Sequence, residues 1–391
     1  MTTHHDTSVG GSGSLSADGS SSRWPLFRWF ASSATLNVPQ AAGPVAFSLL
    51  ALGLTGETNG GAAMILAMTL AQVAGAIPLT RFGKTLPSAT MLKLLVAFRT
   101  LALGAIVVCA AYQVAFPWLI LLAAVAGSVN GAAFGYLRSV LNQLAPASKL
   151  PRALGIAATL NEATFVMAPV AASGLGTISP VFALLAITLL GALPAFLVPH
   201  VRSAHMEDLP HAKGSILSPA ILLWLICAAA GGAAVAAIEI GAVALALNFG
   251  YAPALAILFT VPLCLASVSG GIWVSVRNRM ATRNAVLAQL SVMTIGSVMA
   301  ALNHSIGLTV AGAVLIGFVL APLATHYSLS LDALAPPQRR PEVFALLRTA
   351  NALGVISASA LLTVASLPVA LVAIMAMMIT VTLAVAITRP S

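Results

Sequence analysis

Apolar residues come in long blocks along this chain, and they do not alternate with polar ones. Blocks lie near 32–55, 62–80, 89–112, 117–142, 153–174, 179–199, 217–247, 252–275, 284–302, 306–331, 342–364 and 367–388. A membrane-spanning helix needs roughly 20 mainly apolar residues, and each block approaches or exceeds that length. Leu, Ala and Met fill them, without the period of two that marks a half-buried strand. A backbone in lipid must satisfy its own hydrogen bonds, which a helix does within one segment. The pattern predicts an all-α integral membrane protein of twelve transmembrane helices.

Composition agrees. Of 391 residues, 59% are hydrophobic and 7% charged, where a soluble domain carries roughly 25% charged residues. Such a chain has to be covered by lipid rather than water. The net charge of +9 is scattered between blocks and forms no patch, so no nucleic-acid partner is expected. Cys109, Cys227 and Cys264 lie in three separate blocks and suggest neither a disulfide nor a metal site. No cofactor is implied. Residues 1–22 are rich in Ser, Gly and Thr and have no apolar core. They read as a disordered tail with no cleavable signal, and His4 and His5 within it lack further ligands.

The basic residues fix an orientation. Arg23 and Arg28 precede the first block; Arg81 and Lys84 follow the second; Lys149 and Arg152 follow the fourth. Arg202 and Lys213 separate the sixth from the seventh. Arg277, Arg279 and Arg283 follow the eighth, Arg339 and Arg340 the tenth, and Arg389 the twelfth. The alternate loops hold no Lys or Arg. Since these residues accumulate on the cytoplasmic side, both termini are expected there, in an inner membrane. Trp24, Phe27, Trp29 and Phe30 read as an interfacial aromatic belt.

The sequence also repeats. LNQLAPASKLPRALGIAATLNEA at 141–163 aligns without gaps to LDALAPPQRRPEVFALLRTANAL at 331–353. Pro151 meets Pro341, Thr159 meets Thr349, and Asn161 meets Asn351. The expected organisation is a cytoplasmic tail (1–30), a six-helix bundle (31–200), a linker (201–216) and a second, pseudo-symmetric six-helix bundle (217–391). Parallel repeats of this kind are a transporter architecture, with the solute path between the halves.

With these features the chain resembles the major facilitator superfamily from about residue 30 to its end. AIPLTRFGK at 76–84 is similar to the family's Gly-x-Leu-Ala-Asp-Arg-x-Gly-Arg signature. The resemblance makes Arg81, Gly83 and Lys84 a conformational latch, weakened because Thr80 replaces the acid. TFVMAPVAAS at 164–173 looks like a degraded antiporter motif. It keeps Pro169, which bends the helix, and has small residues at the glycine positions. Gly127 stands where the family's proton-coupling motif has an Arg.

A charge at mid-membrane costs roughly 2.5–3.5 kcal/mol on insertion scales, so each needs a reason. Arg99, Arg138, Glu162, Glu239 and Arg348 are such charges, and His326 is a further titratable group. Arg138 and Glu162 sit about 9 and 15 Å inside adjacent helices, counted at 1.5 Å per residue, and are expected to pair. Arg348 is expected to pair with Glu342 or to reach the interface. Arg99 reads as a helix-packing ion. Glu239 has no evident cation at its depth, and the resemblance places its helix on the central cavity. It is therefore the first candidate to carry a coupling proton or bind a cationic solute. Asn37 and Gln40 flank Pro39 in span one, and Tyr136 is the repeat equivalent of His326; these four are candidate solute contacts.

The resulting expectation is a monomeric secondary transporter of a small-molecule solute, with protons as coupling ion and the lipid bilayer as its other partner. Export of an apolar or amphipathic compound leads. Uptake of an organic anion, or a receptor or scaffold on the same fold, are the alternatives. No clustered acids, zinc-type His pair or nucleophile–base arrangement suggests an enzyme.

Overall fold

A computed structural model describes residues 24–56, 59–83, 86–199, 218–251 and 253–388. The N-terminal tail, the central linker and Lys84 lie outside the described residues. The first half contains α1 (Trp24–Thr55), α2 (Asn59–Phe82), α3 (Ser88–Ala111), α4 (Phe116–Ser128), α5 (Asn130–Leu144), α6 (Leu150–Gly176), α7 (Pro180–Ala192) and α8 (Pro194–Leu197). The second contains α9 (Pro219–Asn248), α10 (Ile257–Arg277), α11 (Arg283–Leu302), α12 (Ile306–Leu334), α13 (Arg340–Val364) and α14 (Leu367–Ile387). The pairs α4–α5 and α7–α8 each make one span, giving 12 helical segments long and apolar enough to cross a membrane. The fourth block is thus two helices meeting at Val129, where a single helix was expected. No strand occurs among the described residues.

Local chemistry sets the helix ends. Ser218, Thr282 and Ser305 accept bonds from the backbone N–H groups of Ile221, Ala285 and Leu308, capping α9, α11 and α12. Proline opens α6, α7, α13 and α14 within the first two positions, where its missing N–H costs nothing. Asn278 and Asn303 end α10 and α11 in left-handed conformations, φ 43° and 46°. Arg28 and Arg283 donate to the carbonyls of Phe196 and Ala386 near the ends of α8 and α14, where a cation suits the helix dipole.

The two halves have separate cores. One gathers around Trp224, Phe259 and Phe344; the others gather around Leu92, Leu137 and Leu141, and around Phe47, Leu103 and Ile106. The halves meet where α2 and α5 pack on α13, and where α6 packs on α10 and α12. Glycine permits the closest of these approaches. A Cβ on Gly135 of α5 would strike the carbonyl oxygen of Pro341 and lie 3.1 Å from its carbon and 3.2 Å from the Ala345 nitrogen. A Cβ on Gly155 of α6 would lie 2.8 Å from the Gly271 carbonyl oxygen on α10.

Trp29 departs from the expected aromatic belt. Trp24 and Phe27 are exposed and stacked, as a belt requires. Trp29 is only 2% exposed and donates its indole N–H to the Leu137 carbonyl at 2.8 Å. An indole at that point of α1 finds a hydrogen-bond acceptor inside the bundle, so it turns inward.

Candidate functional site

A cavity of about 330 Å³ lies between the halves. Its wall is mostly small and apolar, from α1, α5, α6, α9, α12 and α13. The polar groups set into it include Asn37, Arg138, Asn161, Glu162, Glu239, Arg348 and Asn351. Asn161 and Asn351, equivalent in the repeat, thus face one space from opposite halves.

The basic end of the bundle closes beneath this cavity. Arg138 donates Nε to Ser328 Oγ at 2.7 Å and also bonds Asn142. Asn142 donates to Asp332, which pairs with Arg340 at 3.1 Å. Arg81 reaches Glu342 at 3.8 Å, joining α2 to α13. Asn278 accepts from the Arg152 N–H and donates to the Ser148 carbonyl, both at 3.0 Å. Every one of these links crosses from one half to the other, apart from Arg138–Asn142 and Asp332–Arg340. Two of them join residues 190 positions apart, Arg138 to Ser328 and Asn142 to Asp332. That is the offset of the sequence repeat, so residues equivalent by duplication touch each other.

The expected Arg138–Glu162 pair does not form. Succession along the chain does not make two helices neighbours: α5 packs mainly on α13 and α3, and α6 on α1 and α10. Arg138 turns toward the second half and stacks 4.8 Å from the Phe344 ring, while Glu162 faces the cavity. Arg348 likewise ignores Glu342, which serves Arg81. It spans the halves to donate to Gln40 at 2.9 Å and Asn37 at 3.5 Å, over the Phe134 ring at 5.5 Å. Asn37 in turn donates to Asn161 at 2.9 Å. Arg138 is buried and Arg348 half-buried, both against neutral hydrogen-bond partners, and neither makes an ion pair among the described residues. Arg138 Nη2 has no hydrogen-bond partner among the described residues.

Glu239 is exposed to the cavity from α9, in the wall opposite Glu162. No group of three or more His, Cys, Asp or Glu suited to a metal occurs among the described residues.

Other candidates fall elsewhere. Tyr136 is buried and donates its hydroxyl to the Thr80 carbonyl at 2.9 Å. It packs where Gly83 leaves room, since a Cβ there would also lie 2.6 Å from Met91. Tyr136 therefore belongs with the Arg81–Gly83 turn, not with the cavity. His326 is turned away from the cavity as well. Its Nε2 lies 3.1 Å from Ser330 Oγ and its ring packs edge-on against Trp224 at 4.9 Å. Gln40 meets the site through Arg348. Pro169 lies inside α6, beside Ala168 and Ala172, which join a core cluster with Ala46 and Phe47 of α1. Arg99 is a packing ion as expected, donating to the Leu36 and Gly191 carbonyls and to Asn130 at 2.9, 2.8 and 3.2 Å.

The Major Facilitator Superfamily profile matches residues 26–359. The chain belongs to the Major Facilitator Superfamily. Among solved structures, this superfamily member is similar to a bacterial homologue of the iron transporter ferroportin in an outward-facing state, at 15% identity and TM-score 0.79. That match covers 93% of this chain and 98% of the other. The E. coli fucose:proton symporter FucP matches at 12% identity and TM-score 0.73, covering 93% and 98%. The human organic anion transporter MFSD10 (TETRAN) matches at 12% identity and TM-score 0.68, covering 92% and 97%. These likenesses establish the fold. No curated protein matches. Membership and fold together make secondary transport the general activity of this chain.

Proposed function

We propose that this protein exports a small, mainly apolar or amphipathic compound in exchange for protons, across an inner membrane with its basic end on the cytoplasmic side. The observation that carries this is the placement of Glu162 and Glu239. One acid from each half faces a single cavity that is sealed at the basic end. An intramembrane acid requires a reason, and alternate exposure to the two sides lets it carry a proton each way. The apolar wall suits an amphipathic body. The antiporter-like reading is supported by the small residues beside Pro169, since Ala168 and Ala172 join the cluster that holds Ala46 and Phe47 of α1. Closure rests on Arg81–Glu342 and on the Arg138–Asn142–Asp332 chain, which have to part when the basic end opens. The working unit is a monomer, because each half supplies one acid.

The test is flux in proteoliposomes holding the full chain, with a pH-sensitive dye inside and a panel of amphipathic solutes. Exchange of protons for solute, lost in Glu239→Gln and reduced in Glu162→Gln, is the expected result. Undiminished coupling in both variants would remove the acids from the mechanism.

A further inference from the structure

The arginines at the cavity floor point to a feature of the solute. Arg138 and Arg348 are permanent cations, yet their hydrogen bonds go only to neutral acceptors: Ser328 and Asn142 for one, Gln40 and Asn37 for the other. Arg138 is 3% exposed and lines the cavity, with Nη2 unpartnered. A guanidinium presents its donors in a planar fork that matches a carboxylate, and charge-assisted bonds are about twice as strong as neutral ones. An anion entering this floor is therefore a better partner than the groups now holding either arginine.

Those present partners also hold the halves together. Arg138 donates from α5 to α12, and Arg348 donates from α13 to α1. An anionic group and the closed floor thus compete for the same two side chains. We infer that the exported solute carries an anionic head, such as a carboxylate, that docks on Arg348 and Arg138, and that closing the basic end strips the arginines from it. This rests on the transport reading above and deepens it. Affinity is high while the basic end is open and falls when it closes, which releases solute at the far end. By linkage, bound anion favours the open basic end to the same degree.

The test uses the full chain in lipid nanodiscs and three probes sharing one apolar body: naphthylacetate, naphthylacetamide and naphthylethylamine. Spin labels on Lys149→Cys and Arg279→Cys, with the three native cysteines replaced, report separation at the basic end. Naphthylacetate is expected to bind about 10-fold tighter than the amide. It alone lengthens the label distance. Arg348→Gln removes the margin while Arg348→Lys retains part of it, and Arg138→Gln serves if the first variant does not fold. The inference is overturned if the carboxylate does not bind, if the amide or amine binds as tightly, or if the margin survives both Gln variants. Proton-coupled flux of the amine, indifferent to Arg348→Gln, would overturn the inference and leave the transport reading standing. Arginine-dependent carboxylate binding without proton-coupled flux would keep the inference and reject the coupling.

Discussion

Gly135→Ala is a wedge that acts on one conformation only. In the closed arrangement the added methyl meets the Pro341 carbonyl and lies 3.2 Å from the Ala345 nitrogen. Both obstacles are backbone, so neither can swing aside as a flexible side chain would. Overpacking of this kind costs about 1–3 kcal/mol. When the basic end opens, α13 leaves α5 and the clash disappears. The cost therefore falls on the closed state alone, and the closed-to-open ratio drops by about 5- to 150-fold. Gly354→Ala is the control. Its methyl would lie 2.8 Å from the Ala229 carbonyl carbon and 3.0 Å from the Ala233 nitrogen, a contact inside the second half that both states keep. Distances between spin labels at positions 149 and 279 separate the cases. Gly135→Ala should shift the ligand-free distribution to longer distances with little change in melting temperature. Gly354→Ala should lower the melting temperature and leave the distribution alone. An unshifted distribution in a folded Gly135→Ala protein, or an equal shift in the control, would refute the assignment of this contact to the gate.

Further outcomes follow from the same geometry. Arg81→Gln should open the basic end less than Gly135→Ala, because the Arg81 side chain is 61% exposed and such pairs contribute about 0–1 kcal/mol; high salt should mimic the substitution in the label distances. Arg99→Met should reduce thermal stability in a fluorescence melting assay, since a stranded buried acceptor costs about 1–3 kcal/mol, while solute affinity stays as it was. His326→Gln should leave naphthylacetate affinity unchanged in a titration, because the ring faces Trp224 and Ser330 rather than the cavity.

The spans and the two halves were legible because hydrophobic block length and repeat register are one-dimensional properties. The cavity was legible in part. Asn37, Arg138, Glu162, Glu239 and Arg348 were candidates and line it, whereas Asn161 and Asn351 were seen only as equivalents in the repeat. Side-chain direction was not legible. Arg138 and Glu162 sit at compatible depths, but their helices pack mainly on other elements and the rotation of α5 sends the arginine to Ser328. Tyr136 and His326 fail as cavity residues for the same reason. The gate glycines carried an unused signal: a glycine inside a helix costs about 1 kcal/mol relative to alanine, so Gly135, Gly155 and Gly271 each called for a close neighbour. Which neighbour, and that it lies across the halves, depends on packing that no single-chain pattern encodes.

The contacts Arg138–Ser328 and Asn142–Asp332 also say something about ancestry. In a symmetric pair of identical units, a residue on the two-fold axis faces its own copy. Had both halves kept Arg at this position, two buried guanidiniums would meet; had both kept Asp at the next, two carboxylates would. Complementary bonds became possible only once the copies differed. The seam between the halves is thus a record of divergence that cannot be undone piecemeal. A protein assembled from two first halves would set Arg138 against itself and would lose the floor on which closure depends.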